Sequence, residues 1–287
     1  MMNGSRQAAA GELLVVFDYS GTLSLDAAAF ARPVSLAGEL YRSGLIDFGV
    51  AAPETFWNRI VNPTWEEGSL GFAPYCRLIV RELCAGWSEE RRKNSLAALE
   101  RAAAMFVTRY LASSLIHPAW YPLLRGLVEE SRVAVVVATD HYAEATTAIG
   151  HHFKTMGIQA RPLSAAKTSS ERNVYIANSA DLGYRKDQEG FWRRLRQEIG
   201  DAAGCEVLLI DDFGGNEAAG DDYGRQEKVA ERQRQTAAIL ARIFHGRVTI
   251  LPFVLPDTEG RPEETKSLIE AVSTRISGIV TGSYPSR

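Results

Sequence analysis

Residues 13–24 read LLVVFDYSGTLS: five apolar residues, an aspartate, then a Ser-Gly-Thr turn. A continuous Val- and Leu-rich run that stops abruptly at a charge reads as a strand buried on both faces, and therefore parallel. Two further runs repeat the design: residues 132–138 (RVAVVVA) end at Thr139-Asp140, and residues 206–210 (EVLLI) end at Asp211-Asp212. Helical patterns lie over residues 120–130, 141–156 and 189–199. This alternation predicts an α/β fold, a doubly wound parallel sheet with helices on both faces. Ligands of such sheets sit at the carboxyl ends of the strands, where all three polar clusters fall. Residues 173–177 (NVYIA) add a strand or an edge element, and residues 247–254 (RVTILPFV) a late strand that Pro252 assigns to an edge, before a final helix over 263–277.

Outward from the first strand the pattern changes. Residues 24–119 carry Ala-rich, aromatic-bearing helical patterns broken at Pro33, Gly49, Pro53, Pro63, Pro74 and Gly86, with Ser88 as the N-cap of a helix running to about Leu111. The expected division is a core from residues 1–24 and 120–287 and an inserted all-helical domain over 25–119, with His117-Pro118 marking the return. Residues 1–11 read as a disordered leader and residues 225–242 as a long, charged, solvated helix.

The 287 residues include 32 Lys+Arg and 35 Asp+Glu, a formal charge of −3, with 46% hydrophobic and 23% charged residues. That composition is globular and offers no basic field for a nucleic-acid backbone. Cys76, Cys84 and Cys205 are odd in number and lack CxxC spacing, against a disulfide framework or a structural zinc site. Cys84 and Cys205 read as buried thiols. No stretch approaches the ~20 apolar residues that cross a bilayer. The expectation is a cytoplasmic protein, monomer or homodimer, without nucleic-acid or membrane partners.

An aspartate directly after a buried strand, beside a turn whose amides can hold an oxyanion, suits a nucleophile or a metal ligand. Thr139 adds a hydroxyl at one neighbouring strand end. Asp211 and Asp212 add carboxylates that would repel each other and Asp18 unless a cation sat among them, and three oxygen-rich strand ends suit magnesium.

These elements resemble the haloacid dehalogenase superfamily of hydrolases, in that family's order: FDYSGTLS (17–24), VVVATD (135–140), LGYRKDQEGFW (182–192) and LLIDDFGGN (208–216), over roughly residues 13–216. The resemblance implies a Rossmann-like core, with the helical insertion as the family's cap. It implies a Mg²⁺-dependent phosphohydrolase acting on a small phosphorylated metabolite. Asp18 would be the nucleophile that forms an aspartyl-phosphate. Thr139 would hydrogen-bond the phosphoryl group and Lys186 would neutralise its charge, with Arg185 as the spare cation. Asp18, the Ser20 carbonyl, Asp211 and Asp212 would hold Mg²⁺; Gly21, Thr22, Thr139, Asp140 and Lys186 would surround the phosphate. Asn216 would orient the site.

One departure matters. Typical phosphatases of the family carry a second aspartate two residues after the nucleophile, as general acid and base; here that position is Ser20. The alternative is therefore a catalytically weak phosphate- or metal-binding module on the same fold. Metal-free dehalogenation fits less well, since Asp211 and Asp212 keep the metal ligands. A cap Schiff base fits less well too, since Lys93 sits in a solvated charge run. Trp57, Trp65, Phe72, Tyr75 and Trp87 read as core of the helical segment or as an apolar wall over a substrate. Trp57, Arg32 and Arg59 are its candidate substrate contacts. His141, just after the second motif, reads as a residue facing the site or as a helix-start residue, and the pair His151-His152 as residues of a helix end. Asp221-Asp222 read as a solvated loop or N-cap, and Lys167 as a loop lysine that could close over phosphate.

Overall fold

Six strands form one parallel sheet: β1 (Leu13–Phe17), β2 (Val133–Thr139), β3 (Ala160–Pro162), β4 (Val174–Asn178), β5 (Glu206–Asp211) and β6 (Val248–Pro252), in the order β3-β4-β2-β1-β5-β6. The computed structural model describes residues 13–168, 173–200, 205–217, 226–256 and 262–282. The expected leader, Asp221-Asp222 and the side chain of Lys167 lie outside the described residues.

Both faces of the sheet are covered, which is why its strands read as unbroken apolar runs. Val15 and Phe17 of β1, Val135 and Val137 of β2, and Leu208 and Ile210 of β5 point into one cluster, with Leu124, Phe153 and Ile269 from the helices Tyr121–Glu129, Glu144–Thr155 and Pro262–Val280. Their strand neighbours Leu14, Val16, Val136, Ala138, Val207 and Leu209 point into the other, against Phe191, Trp192 and Leu240 of the helices Glu189–Ile199 and Gln226–Ile243. This is the doubly wound α/β sheet that the alternation predicts.

The strand order decides one open alternative and bears out one expectation. The strand after residue 173 is interior, because the short β3 pairs outside it through Ala160↔Val174. The late strand is the edge strand that Pro252 requires.

Residues 25–113 are helical with short connections, and they pack around a separate apolar cluster that includes Leu40, Phe56, Ile60, Leu78, Leu99 and Phe106. Ser88 caps the longest helix, Glu89–Ser113, by accepting from the Arg91 amide. The segment is tied to the sheet at its two ends: Tyr19 Oη donates to the Ser114 carbonyl, and the His117 amide donates to Leu23 O at 2.9 Å. Trp120, fully buried, donates Nε1–H to the Thr22 carbonyl at 3.0 Å and packs edge-on against Phe17 with ring centroids 5.8 Å apart. Among the described residues no helix is long and apolar enough to cross a membrane.

Trp120 thus locks the turn after β1 to the chain's return. Trp120→Ala should lower the unfolding free energy by about 3–5 kcal/mol. Trp120→Phe, which keeps a ring but removes the donor to Thr22, should lower it by about 1–3 kcal/mol; urea denaturation followed by circular dichroism checks both.

Candidate functional site

The sheet register aligns the strand ends. Phe17 is opposite Ile210, so Asp18 and Asp211 emerge at one level, and Phe17 is opposite Val137, so Thr139 lies two residues further along β2. Asp18, Asp211 and Asp212 are each at most 5% exposed, and each offers an oxygen within 4.8 Å of the others.

The loops then fix each carboxylate. Asp211 Oδ1 accepts from the Phe213 amide at 2.7 Å; Asp212 Oδ1 and Oδ2 accept from the amides of Gly214 at 3.1 Å and Asn216 at 2.9 Å. Phe213 takes a positive φ of 53°, rare for a side chain of its size, and Arg232 grips its carbonyl at 2.6 Å. Gly21 has a φ of 75°, and a Cβ there would lie 2.8 Å from Asp212 Cγ, so only glycine lets the first turn approach that carboxylate. Asn216 Nδ2 donates to the carbonyls of Gly21 and Phe253, joining the turns after β1, β5 and β6.

Lys186 is the cation of the cluster. Its Nζ donates to Asp18 Oδ1 and, at 2.9 Å, to Asp211 Oδ2. The loop that carries it is held by Asp140, whose Oδ1 accepts the Lys186 amide proton at 2.9 Å. Burial raises the pKa of Asp18 well above the usual carboxylate range, against the pull of Lys186 and with a further push from Asp211 and Asp212. Burial, then Glu217 and Asp211, push Asp212 up to about 8. Burial pushes Asp140 to about 6, with Lys186 opposing. Three buried carboxylates around one ammonium carry excess negative charge, and an all-oxygen donor set suits a small hard dication such as Mg²⁺.

A cavity of about 480 Å³ is lined by Asp18, Ser20, Thr139, Asp140, Lys186 and Asp212 below and by Phe30, Phe56, Trp57, Trp65, Phe106 and Tyr110 above, while Asp211 lines a second cavity. Several candidates lie elsewhere. Thr22 is fully buried, and its Oγ1 accepts from the Asp212 amide, so its hydroxyl supports the loop and does not face the cavity. Arg185 lines that second, charged cavity, which shares Asp140, Lys186, Lys228 and Arg232 with the first, and pairs with Asp187 at 3.6 Å. Arg59 is exposed, with Nη1 3.5 Å from the Gly49 carbonyl, and neither it nor Arg32 lines the cavity. Trp57, Trp65 and Tyr75 do line it, whereas Phe72 is 75% exposed and Trp87 packs on Phe48 with Arg91 over its ring. Cys84 is half-buried, not buried like Cys205.

Among the lining residues, Glu217 and Tyr142 were not singled out in the sequence, and His141 was read chiefly as a helix-start residue. Glu217 accepts from Ser20 Oγ at 3.1 Å; it directly follows Asn216, and that adjacency was its signal. His141 is a wall residue rather than a helix start: its Nε2 meets Tyr110 Oη at 2.7 Å, and the helix begins at Glu144. Tyr142 stacks on Tyr75 with centroids 3.7 Å apart and meets Thr64 Oγ1 at 3.4 Å, joining the loop after β2 to the helical segment. A Cβ on Gly68 would lie 2.8 Å from Leu78 Cδ1 and would strike the Tyr142 ring. His152 Nε2 meets the Leu111 carbonyl at 3.0 Å, outside the site.

Comparison with solved structures finds a likeness to the crystal structure of 2-haloacid dehalogenase from Pseudomonas syringae pv. Tomato DC3000, at 17% identity and a TM-score of 0.42, covering 77% of this chain and 98% of that one. No protein-family model matches the chain, and no curated protein matches it.

Burial depresses the pKa of His141 from 6.5 to about 4, so folding favours its neutral form. That contribution is complete above pH 6.5 and is lost as pH falls through 4. The stability difference between the native protein and His141→Gln should therefore shrink by up to about 3 kcal/mol over that window, measured by denaturant titration at a series of pH values.

Proposed function

We propose that the chain is a hydrolase of the haloacid dehalogenase type, a Mg²⁺-dependent phosphohydrolase working through an aspartyl-phosphate on Asp18. The observation that carries this reading is the buried triad Asp18, Asp211 and Asp212, with Lys186 bonded to Asp18 and Asp211, and with Asp18, Asp212 and Lys186 at the floor of the cavity. A module without catalysis has no chemical need for that combination. The helical segment then acts as a cap that excludes water and selects the substrate.

In this mechanism a carboxylate oxygen of Asp18 attacks phosphorus from the floor. The new O–P bond forms as the bond from phosphorus to the ester oxygen breaks, and the departing oxygen takes its proton from water. A second water then attacks phosphorus, releasing inorganic phosphate and restoring the Asp18 carboxylate. Lys186 opposes the desolvation that raises the pKa of Asp18 and neutralises charge on the transferring oxygens. Thr139 donates its hydroxyl to one of those oxygens. Asp18, Asp211, Asp212 and the Ser20 carbonyl would hold Mg²⁺, which when bound supplies positive charge to the phosphoryl oxygens.

The second reading, a phosphate- or metal-binding module, is favoured by one observation: the position of the acid-base carboxylate is a serine whose hydroxyl is bonded to Glu217. A serine hydroxyl transfers protons poorly near neutral pH, and loss of a general acid costs about 10²- to 10⁴-fold.

Hydrolysis of p-nitrophenyl phosphate separates the readings. Turnover should require Mg²⁺, stop with chelator and be abolished in Asp18→Asn. Lys186→Met should lower kcat/KM by about 10²-fold or more. Ser20→Asp should raise turnover of alkyl phosphates toward the about 10²-fold that a general acid supplies. Silence of both the native protein and Ser20→Asp across aryl, sugar and organic-acid phosphates would favour the module.

A further inference from the structure

The cavity is divided by chemistry as well as by chain. Every charged residue that lines it comes from the sheet side: Asp18, Asp140, Lys186, Asp212, Glu217, Lys228 and Arg232. The lining residues between positions 25 and 113 carry no charge, and most are large and apolar, with Phe30, Phe56, Trp57, Trp65 and Phe106 foremost. Two hydroxyls that face this wall are taken by the protein itself. Tyr110 Oη is paired with His141 Nε2 at 2.7 Å, and Tyr142 Oη with Thr64 Oγ1 at 3.4 Å. Asn62 brings an amide only at an exposed position. The two arginines of the helical segment that the sequence offered for a substrate anion, Arg32 and Arg59, stand outside.

From this partition we infer that the substrate's organic group is apolar and ring-bearing: a phosphate monoester of an aromatic alcohol or phenol, not of a sugar, a polyol or a second acid. The inference rests on the phosphohydrolase reading and adds the identity of the alcohol. A hydroxyl-rich group placed against this wall would surrender its water and find few partners, a desolvation cost without return. An aromatic ring would replace water against side chains that gain from losing it, and the wall presents the ring faces and edges on which another ring packs. A second anion would meet no cation on the wall, and the cavity's cations, Lys186, Lys228 and Arg232, lie among the carboxylates of the sheet side.

Calorimetric titration of the full chain in Mg²⁺ tests this with three phosphonates that cannot be hydrolysed: benzyl-, methyl- and 2,3-dihydroxypropylphosphonate. The benzyl compound should bind about tenfold tighter than methyl or better, the scale that added apolar groups earn in such pockets. The dihydroxypropyl compound should bind no tighter than methyl. Trp57→Gln, at a half-buried position, should shrink the benzyl-to-methyl ratio. A dihydroxypropyl compound that binds as tightly as benzyl, or no binding by any of the three, would overturn the inference. Benzyl preference without turnover of any aryl phosphate would retract the phosphohydrolase reading and leave the cavity's selectivity standing. Turnover of sugar phosphates at rates equal to aryl phosphates would do the reverse.

Discussion

The ammonium of Lys186 makes the strand-end cluster tenable. Asp18 and Asp211 arrive at one level because β1 and β5 pair in register, and both are stripped of solvent there. Two buried carboxylates at that spacing repel. Lys186 bonds both, and removing one partner of such a buried set leaves the other uncompensated, at about 3–5 kcal/mol. The lysine is itself fixed at both backbone atoms, its amide on Asp140 Oδ1 and its carbonyl on Trp192 Nε1 at 2.7 Å. One residue therefore couples the ends of β1, β2 and β5 and the helix Glu189–Ile199. The position of Asp18 is a property of the whole sheet edge.

The helical segment is coupled to that edge by fewer contacts, and Tyr142 carries several of them. It follows β2 by three residues, yet its ring lies in the apolar cluster of the helices, stacked on Tyr75 and edge-on to Trp65. Glu144, two residues on, accepts from the Tyr75 amide at 2.6 Å. The same short loop thus sets Thr139 and Asp140 in the floor and Tyr142 in the wall. Floor and wall are positioned by one piece of chain, which fixes the depth of the cavity between them.

How much of this was legible in the sequence follows from what each element buries. Strands covered on both faces read as unbroken apolar runs, so β1, β2 and β5 and the polar residues that end them were plain. β3 has three residues and ends in proline, too short to show any period, and without it nothing placed β4 inside the sheet. Asp18, Asp211 and Asp212 were found because strand ends converge. Lys186 lies in a loop and was reached only through the resemblance of its motif. The wall was the least legible part, because an aromatic residue that lines a cavity and one that fills a core have the same composition. Phe72 and Trp87 belong to the same aromatic set as Trp57 and Trp65 and face elsewhere. His141 carried a further ambiguity, since a histidine just before a helix and a neutral histidine buried in a wall share one sequence context.

On the proposed phosphohydrolase reading, Ser20 and the apolar wall are independent features that bear on one question, the nature of the leaving group. Without a carboxylic acid at position 20, the departing oxygen leaves without a proton delivered in place, and the barrier then depends on how well that oxygen bears negative charge. A phenol ionises near ~10, as tyrosine does, so a phenolate leaves with little help, while an aliphatic alkoxide is a far stronger base and needs the acid. Glu217 does not restore that function in the observed arrangement, since its carboxylate accepts from Ser20 Oγ and has no proton to give in that bond. Against an aryl ester the missing acid costs least, and an aryl ester is also the substrate that the ring-lined wall accommodates best. Loss of the acid and growth of the apolar wall are therefore mutually consistent: each removes the need for the polar machinery that the other lacks.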